Sequence, residues 1–347
     1  MSDSLFYIGA MTPDDASGGI YGYDLSADGT PQKQFFQPAC GVKYLAYSTD
    51  KSILYATVIV DPAEKTGGVA AYRIKADKSL EFINELSAEG VSSCHLAAAP
   101  GGKYLYLVNY FSSTLCEFTI KLDGALEKLK RVIHFTGCGT HPRQEKPHPH
   151  FTGFTPDGKF LAVVDLGLDA VKLFAFDPEN GLTDAENPYI FKVEPAGSGP
   201  RHLAFNRAGN MAYLVNEIGN TVCVLDYAQG KFNCRQIIST LPENFDGDTK
   251  AAAIRLSPDE RFLLASNRGY DSIAVYKVLD NGLLELSEIV PSEGVSPRDI
   301  NFLPDGVHLA AANEFTNNTA FFKFDPESGK LAYYATESMP NPLAVYW

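Results

Sequence analysis

Apolar residues in this chain come in short runs of strand length, separated by compact polar turns. Runs such as "KYLYLVNY", "KFLAVVDL", "NMAYLVNE" and "RFLLASNR" are rich in Val, Leu, Tyr and Phe and are bounded by Gly, Pro, Asp and Asn. That composition and length predict β-strands, and no long stretch keeps an uninterrupted helical period. Each run follows a turn phrase that recurs: Thr49-Asp50, Pro100-Gly101, Pro156-Asp157-Gly158, Arg207-Ala208-Gly209, Pro258-Asp259 and Pro304-Asp305-Gly306. The second residues of these turns lie 51, 56, 51, 51 and 46 positions apart. A period of about fifty residues with several strands per unit predicts a β-propeller, whose blades bury their faces only against one another.

The 347 residues hold about seven such units. Six are marked by the turns. The seventh is expected from the two chain ends together, with "NPLAVYW" as its opening strand and "LFYIGAM" as its second. Sharing a blade closes the array and removes open sheet edges. The expected fold is therefore all-β: a seven-bladed β-propeller of four-stranded antiparallel blades, forming a single domain over residues 1–347. Outer hairpins carry their own turn residues, as in "DPENG", "LDNG" and "DPESG".

A repeat allows the chain to be compared with itself. Eight positions after the turn stand Asn109, Asp165, Asn216, Asn267 and Asn313. This near-uniformity is expected of a polar group that satisfies backbone at a strand end. Nine positions after the turn stand Tyr110, Leu166, Glu217, Arg268 and Glu314, and seven before it Lys43, Cys94, His150, Arg201, Ala252 and Arg298. These two sets share no residue type and are rich in ionisable groups. Both belong at the same mouth of the propeller channel, where charges are costly unless used or paired.

His150, Arg201, Glu217 and Arg268 come from consecutive blades and suit a small anionic substrate. The arginines can hold a carboxylate or phosphate, Glu217 can take a proton, and His150 can give one or polarise a carbonyl. Lys43, Arg298 and Glu314 fit either the site or a ring of structural ion pairs. Strand alternation would turn His148 away from His150, as a supporting group. His95 and His202, one place inside the variable position, are expected to pack between blades.

Net charge is −13, which disfavours nucleic acid as a partner. No run approaches the roughly 20 apolar residues of a membrane span. The start, "MSDSLFYIGAMTPDDASGG", lacks the basic and apolar regions of a signal peptide. Cys40, Cys94, Cys116, Cys138, Cys223 and Cys234 are scattered and are expected to be buried thiols in a cytoplasmic protein. His148 and His150 with Glu145 lack a third ligand at a convincing spacing, so neither metal nor cofactor is expected. Two irregular loops, 136–149 and 241–250, are candidates for covering a ligand.

The phrases "PHPHFTGFTPDGKFLAVVDLG", "GSGPRHLAFNRAGNMAYLVNE" and "SPDERFLLASNRG" resemble the lactonase family of seven-bladed propellers. That family includes propeller-type 6-phosphogluconolactonases and the fungal carboxymuconate lactonising enzyme. In the latter the implicated residues fall, by motif, on His150, Arg201, Glu217 and Arg268. The resemblance also makes Arg143, ahead of "PHPH", an anion contact; Arg298, from the variable position, and His148, beside His150, are further candidates for substrate binding. It implies hydrolysis of a small anionic sugar lactone, 6-phosphoglucono-δ-lactone first, in the pentose phosphate pathway, by a cofactor-free monomer or weak homodimer. Three rivals remain open: a muconate-type cycloisomerase, a non-catalytic interaction scaffold, and a metal-dependent gluconolactonase-like propeller.

Overall fold

The computed structural model describes residues 4–12 and 18–347. The opening segment 1–19, read above as lacking a signal peptide, falls partly outside them. Seven antiparallel sheets follow one another along the chain. Blade 1 joins Pro342–Tyr346 to Leu5–Ala10, Gly19–Leu25 and Pro31–Pro38. Blade 2 is Leu45–Tyr47, Ile53–Asp61, Thr66–Ile74 and Leu80–Val91, and blade 3 is Ser93–Ala98, Tyr104–Asn109, Thr114–Ile120 and Leu126–His134. Blade 4 is Pro149–Phe154, Phe160–Asp165 and Ala170–Asp177, with an outer strand split into Gly181–Leu182 and Tyr189–Lys192. Blade 5 is Pro200–Phe205, Met211–Asn216, Thr221–Ala228 and Lys231–Ser239. Blade 6 is Lys250–Leu256, Phe262–Arg268, Ser272–Val278 and Leu284–Pro291, and blade 7 is Pro297–Phe302, His308–Asn313, Asn318–Phe324 and Leu331–Ser338.

This is the strand order of a seven-bladed β-propeller. The two chain ends share blade 1 as expected, with Gly9 opposite Ala344. The chain divides into two compact units: Met1–Pro38, Arg201–Ala228 and Phe232–Trp347 form one, Ala39–Pro200 and Gln229–Lys231 the other. Among the described residues no helix is long and apolar enough to cross a membrane.

The apolar runs are continuous rather than alternating because the inner strands are buried on both faces. In blade 6, Leu263 and Ala265 pack with Tyr213 and Val215 of blade 5. Their neighbours Phe262 and Leu264 pack with Leu309 and Phe322 of blade 7. The apolar residues of this second strand thus face apolar matter on both sides, and a charge placed among them would be stranded.

The turns between first and second strands have one geometry. The Gly158 N–H donates to the Thr155 carbonyl at 2.8 Å, and Glu260 to Ser257 at 2.8 Å. The Asp157 and Asp259 carboxylates accept the Thr155 and Ser257 hydroxyls at 2.6 Å. The fourth residue is left-handed, φ +67° at Gly158 and +60° at Glu260, which matches the twist of the flanking strands.

The first strands break register at one place. In blade 4, Pro149 opposes Asp165 and Phe151 opposes Val164, so His150 is an extra residue. In blade 7, Pro297 opposes Asn313 and Asp299 opposes Ala312, leaving Arg298. Cys94 in blade 3 and Leu343 in blade 1 are extra in the same way. The variable position found in the sequence is therefore a β-bulge, which takes one side chain out of the alternating ladder and re-aims it. The uniform Asn set is structural: Asn109, Asn216 and Asn267 each donate Nδ2 to a hydroxyl five residues on, at 3.0, 2.9 and 3.2 Å.

One expectation is corrected. Of the six cysteines only Cys94, Cys116 and Cys223 are buried; Cys40 is partly exposed, and Cys138 and Cys234 are exposed.

Asp299 fastens the terminal strand. Its carboxylate accepts from Arg255 Nη2 at 2.8 Å and from the Val345 N–H at 3.0 Å, joining blades 6, 7 and 1. Burial pushes its carboxyl up, and Arg255 is the strongest opposing influence. Asp299→Ala should lower the unfolding free energy by about 3 kcal/mol, the cost of leaving a buried partner uncompensated. Urea unfolding would read this as a lower midpoint at unchanged slope, and an unmoved midpoint would remove Asp299 from the closure.

Candidate active site

Arg201, Glu217 and Arg268 meet. Arg201 opens the first strand of blade 5, Glu217 follows the second strand of the same blade, and Arg268 ends the second strand of blade 6. Glu217 Oε2 lies 3.1 Å from Arg201 Nε and 2.6 Å from Arg268 Nη2. Arg201 and Glu217 are only 2% and 3% exposed. Arg201 is also anchored by Nη1, which donates to the Ala252 carbonyl at 2.7 Å. Burial pushes the Arg201 guanidinium down to about 9, and the like charges of Arg268 and Arg298 add to the push. Glu217 and Asp299 oppose it. At neutral pH the guanidinium keeps its proton, so the cost of its burial is met by the neighbouring carboxylates.

Arg298 and Glu314, from blade 7, form a looser pair at 3.6 Å with partly exposed side chains. The Ser296 hydroxyl donates to Glu314 at 3.2 Å. Three guanidiniums and the carboxylates of Glu217, Asp299 and Glu314 thus make one charged cluster. The loop 241–250 leans on this region. Phe245 packs on Tyr270 with ring centroids 4.6 Å apart, and a Cβ on Gly269 would lie 2.3 Å from the Asp248 carbonyl oxygen.

His150, His148 and Arg143 belong to the other unit. His150 is 5% exposed, and its ring meets that of Tyr110 edge-on at 5.7 Å. His148 stacks on the same Tyr110 at 4.3 Å. Alternation therefore does not separate the two imidazoles: His148 precedes the strand and His150 is the bulge. Both ring nitrogens of His148 are engaged, Nδ1 at 3.1 Å from the Tyr110 carbonyl and Nε2 at 3.1 Å from Glu145. That geometry makes His148 a support rather than a direct contact. Arg143 is half-buried on the short 3-10 turn Pro142–Gln144, capped by His141 and locked by buried Gln144, which donates to Leu166 and Asp169 at 2.8 Å. His95 packs between Tyr44 and Phe151 at 3.7 and 4.5 Å, as expected of a core histidine.

Among the described residues, no group of three or more His, Cys, Asp or Glu side chains is placed to hold a metal ion. A groove of about 1080 Å³ lies elsewhere, between the outer strands of blades 3 and 4. Its cations are all occupied: Lys172 by Asp165 at 2.9 Å, Arg131 by Glu117 at 3.3 Å and Lys192 by the Leu168 carbonyl at 3.0 Å.

Sequence reasoning missed Arg255 and Asp299, although a sign was present. Arg255 stands where the preceding three repeats carry Ala97, Gly153 and Ala204, and Asp299 where they carry His95, Phe151 and His202. A charge at a position that is small or aromatic in other blades needs a partner, and these two are each other's.

A model of the family described as lactonase, 7-bladed beta-propeller, matches residues 5–347. A 6-phosphogluconolactonase of Bacillus subtilis (strain 168) is 36% identical over 355 residues, covering 99% of this chain and 98% of that protein. Among solved structures, a protein from Lactobacillus plantarum aligns with a TM-score of 0.91 at 32% identity, covering 99% of this chain and 98% of the other. The periplasmic gluconolactonase of Pseudomonas aeruginosa aligns with a TM-score of 0.90 at 27% identity and the same coverage, 99% and 98%.

The two ion-pair systems of the cluster should respond differently to truncation. Glu217→Ala leaves two guanidiniums without their shared carboxylate and should cost about 3–5 kcal/mol of stability. Arg298→Ala breaks a longer, partly solvated pair and should cost under about 1 kcal/mol. Chemical denaturation of both variants checks the ranking, and equal losses would contradict it.

Proposed function

The chain belongs to the lactonase family of seven-bladed β-propellers and is a lactone-hydrolysing enzyme, and from that premise we propose that its substrate is an anionic sugar lactone, 6-phosphoglucono-δ-lactone. The observation that carries the anionic preference is the buried carboxylate of Glu217 held between Arg201 and Arg268, with Arg298 close by. Arg268 and Arg298, the two partly exposed guanidiniums of the cluster, are the groups that favour a guest bringing negative charge.

In this reading Glu217 takes a proton from water, and the water oxygen bonds to the lactone carbonyl carbon. Arg201 faces the oxyanion that develops. The ring carbon–oxygen bond then breaks, and the ring oxygen receives a proton from His150, leaving the open hydroxy acid. Arg268, Arg298 and Arg143 receive the phosphate, and His148 steadies the segment that carries His150. The reading of His150 rests on its bulge position, which Arg298 shares in blade 7, together with the family resemblance. No cofactor enters these steps. We place the enzyme in the cytoplasm as a monomer or weak homodimer. A phosphorylated substrate supports the compartment, and cell fractionation with sedimentation tests both statements.

Glu217→Gln and His150→Ala should each lower kcat on 6-phosphoglucono-δ-lactone by about 10²–10⁴-fold. The assay reads product acid against the spontaneous rate, with folding of each variant confirmed by circular dichroism. Unchanged kcat in both would end this assignment of roles. Parallel assays on unphosphorylated glucono-δ-lactone and on carboxymuconate decide the substrate, and a higher kcat/KM on either would replace the phosphorylated one.

A further inference from the structure

Arg201 and Arg268 approach the same oxygen of Glu217 but are not held alike. Arg201 is deeply buried and donates to the Ala252 carbonyl at 2.7 Å. Arg268 keeps 12% of its side chain exposed. Its other bond, from Nη2 to the Ala251 carbonyl, is long at 3.3 Å. Its buried Nε, like that of Arg201, has no hydrogen-bond partner. Arg201 is thus enclosed and firmly anchored to the main chain, while Arg268 reaches solvent and is anchored to the main chain only by a long bond. Glu217 Oε2, lying between the two, has its lone pairs turned to cations, which leaves it poorly placed to accept a proton from water.

We propose that Arg268 is a latch on Glu217: in the empty enzyme it occupies the carboxylate, and the anionic group of the substrate draws it away and so releases the base. The proposal rests on the reading of Glu217 as the proton acceptor. A phosphate offers Arg268 a bidentate seat that satisfies Nε and an Nη together. Glu217 engages Nη2 at Oε2. Charge stays balanced through the exchange. Arg268 passes from a carboxylate to the substrate anion, and Glu217 keeps Arg201. The water proton then moves to Glu217 Oε2 as the water oxygen bonds to the carbonyl carbon. Binding energy from a remote, unreacting phosphate thereby appears in the chemical step. Neutral lactones bind without opening the latch, so the enzyme selects against them in kcat as well as in KM.

The test uses the whole protein, unphosphorylated glucono-δ-lactone and inorganic phosphite as a detached anion. With wild-type enzyme, saturating phosphite is expected to raise kcat on the neutral lactone by about tenfold or more, the latch being opened in trans. Arg268→Gln is expected to hydrolyse the neutral lactone faster than wild type does without phosphite, to ignore phosphite, and to lose about 100-fold in kcat/KM on the phosphorylated lactone, the loss of one charged, bidentate contact. Phosphite that only inhibits wild type, or leaves its rate unchanged, would overturn the latch, and this arm needs no variant to fold. An Arg268→Gln enzyme slowed on both lactones would do the same. Glu217→Gln separates the layers. If it abolishes both activities while phosphite does nothing, Glu217 remains the base and only the latch falls. If it leaves both rates intact, the base assignment falls and the latch with it.

Discussion

Burial of every blade on both faces is the constraint from which the rest of this structure follows. A strand whose odd and even residues pack against different neighbours has no side free for chemistry. A charge placed in the ladder would lie between two apolar sheets. The extra residue at the start of the first strand is the way out, because a bulge breaks the alternation at one point and costs the sheet only one ladder position. His150 and Arg298 are such residues. Glu217 and Glu314 escape by another route, standing just past the end of the second strand.

The charges so released must still be balanced. Arg201 is buried beside two other guanidiniums, which would be untenable without the carboxylates of Glu217 and Asp299. Asp299 serves two ends at once: it fastens the terminal strand through the Val345 N–H and adds negative charge beneath Arg201. Closure of blade 1 and the electrostatics of the clamp therefore share one side chain. Glu217 is likewise both a structural counter-ion and the candidate base. A site built this way has little room for independent change, since each charge is held in place by the next.

The relatives this chain resembles divide over whether the sugar lactone is phosphorylated: one is named for the phosphorylated compound and another for the plain gluconolactone. The shared scaffold explains how both are possible. The blades are common to both, while the side chains at the bulges and strand ends vary from blade to blade. In the reading proposed for this chain, the partly exposed Arg268 and Arg298 weigh toward the charged guest.

By itself the sequence determined the all-β class, the seven-unit count and the sharing of one blade between the ends, and it singled out His150, Arg201, Glu217 and Arg268 as a set apart. Each of these follows from a fixed period, which places equivalent residues in equivalent surroundings. Tertiary structure alone decided who pairs with whom. That Arg201 and Arg268 share one oxygen of Glu217, that Asp299 binds both Arg255 and the last strand, and that two imidazoles meet on Tyr110 depends on the contact of neighbouring blades and on a one-residue break in register. A bulge has no residue signature of its own, since His, Arg, Cys and Leu all occupy it here. Glu217 and Arg268 in turn are separated by 51 residues of chain, a distance over which only packing can bring side chains together.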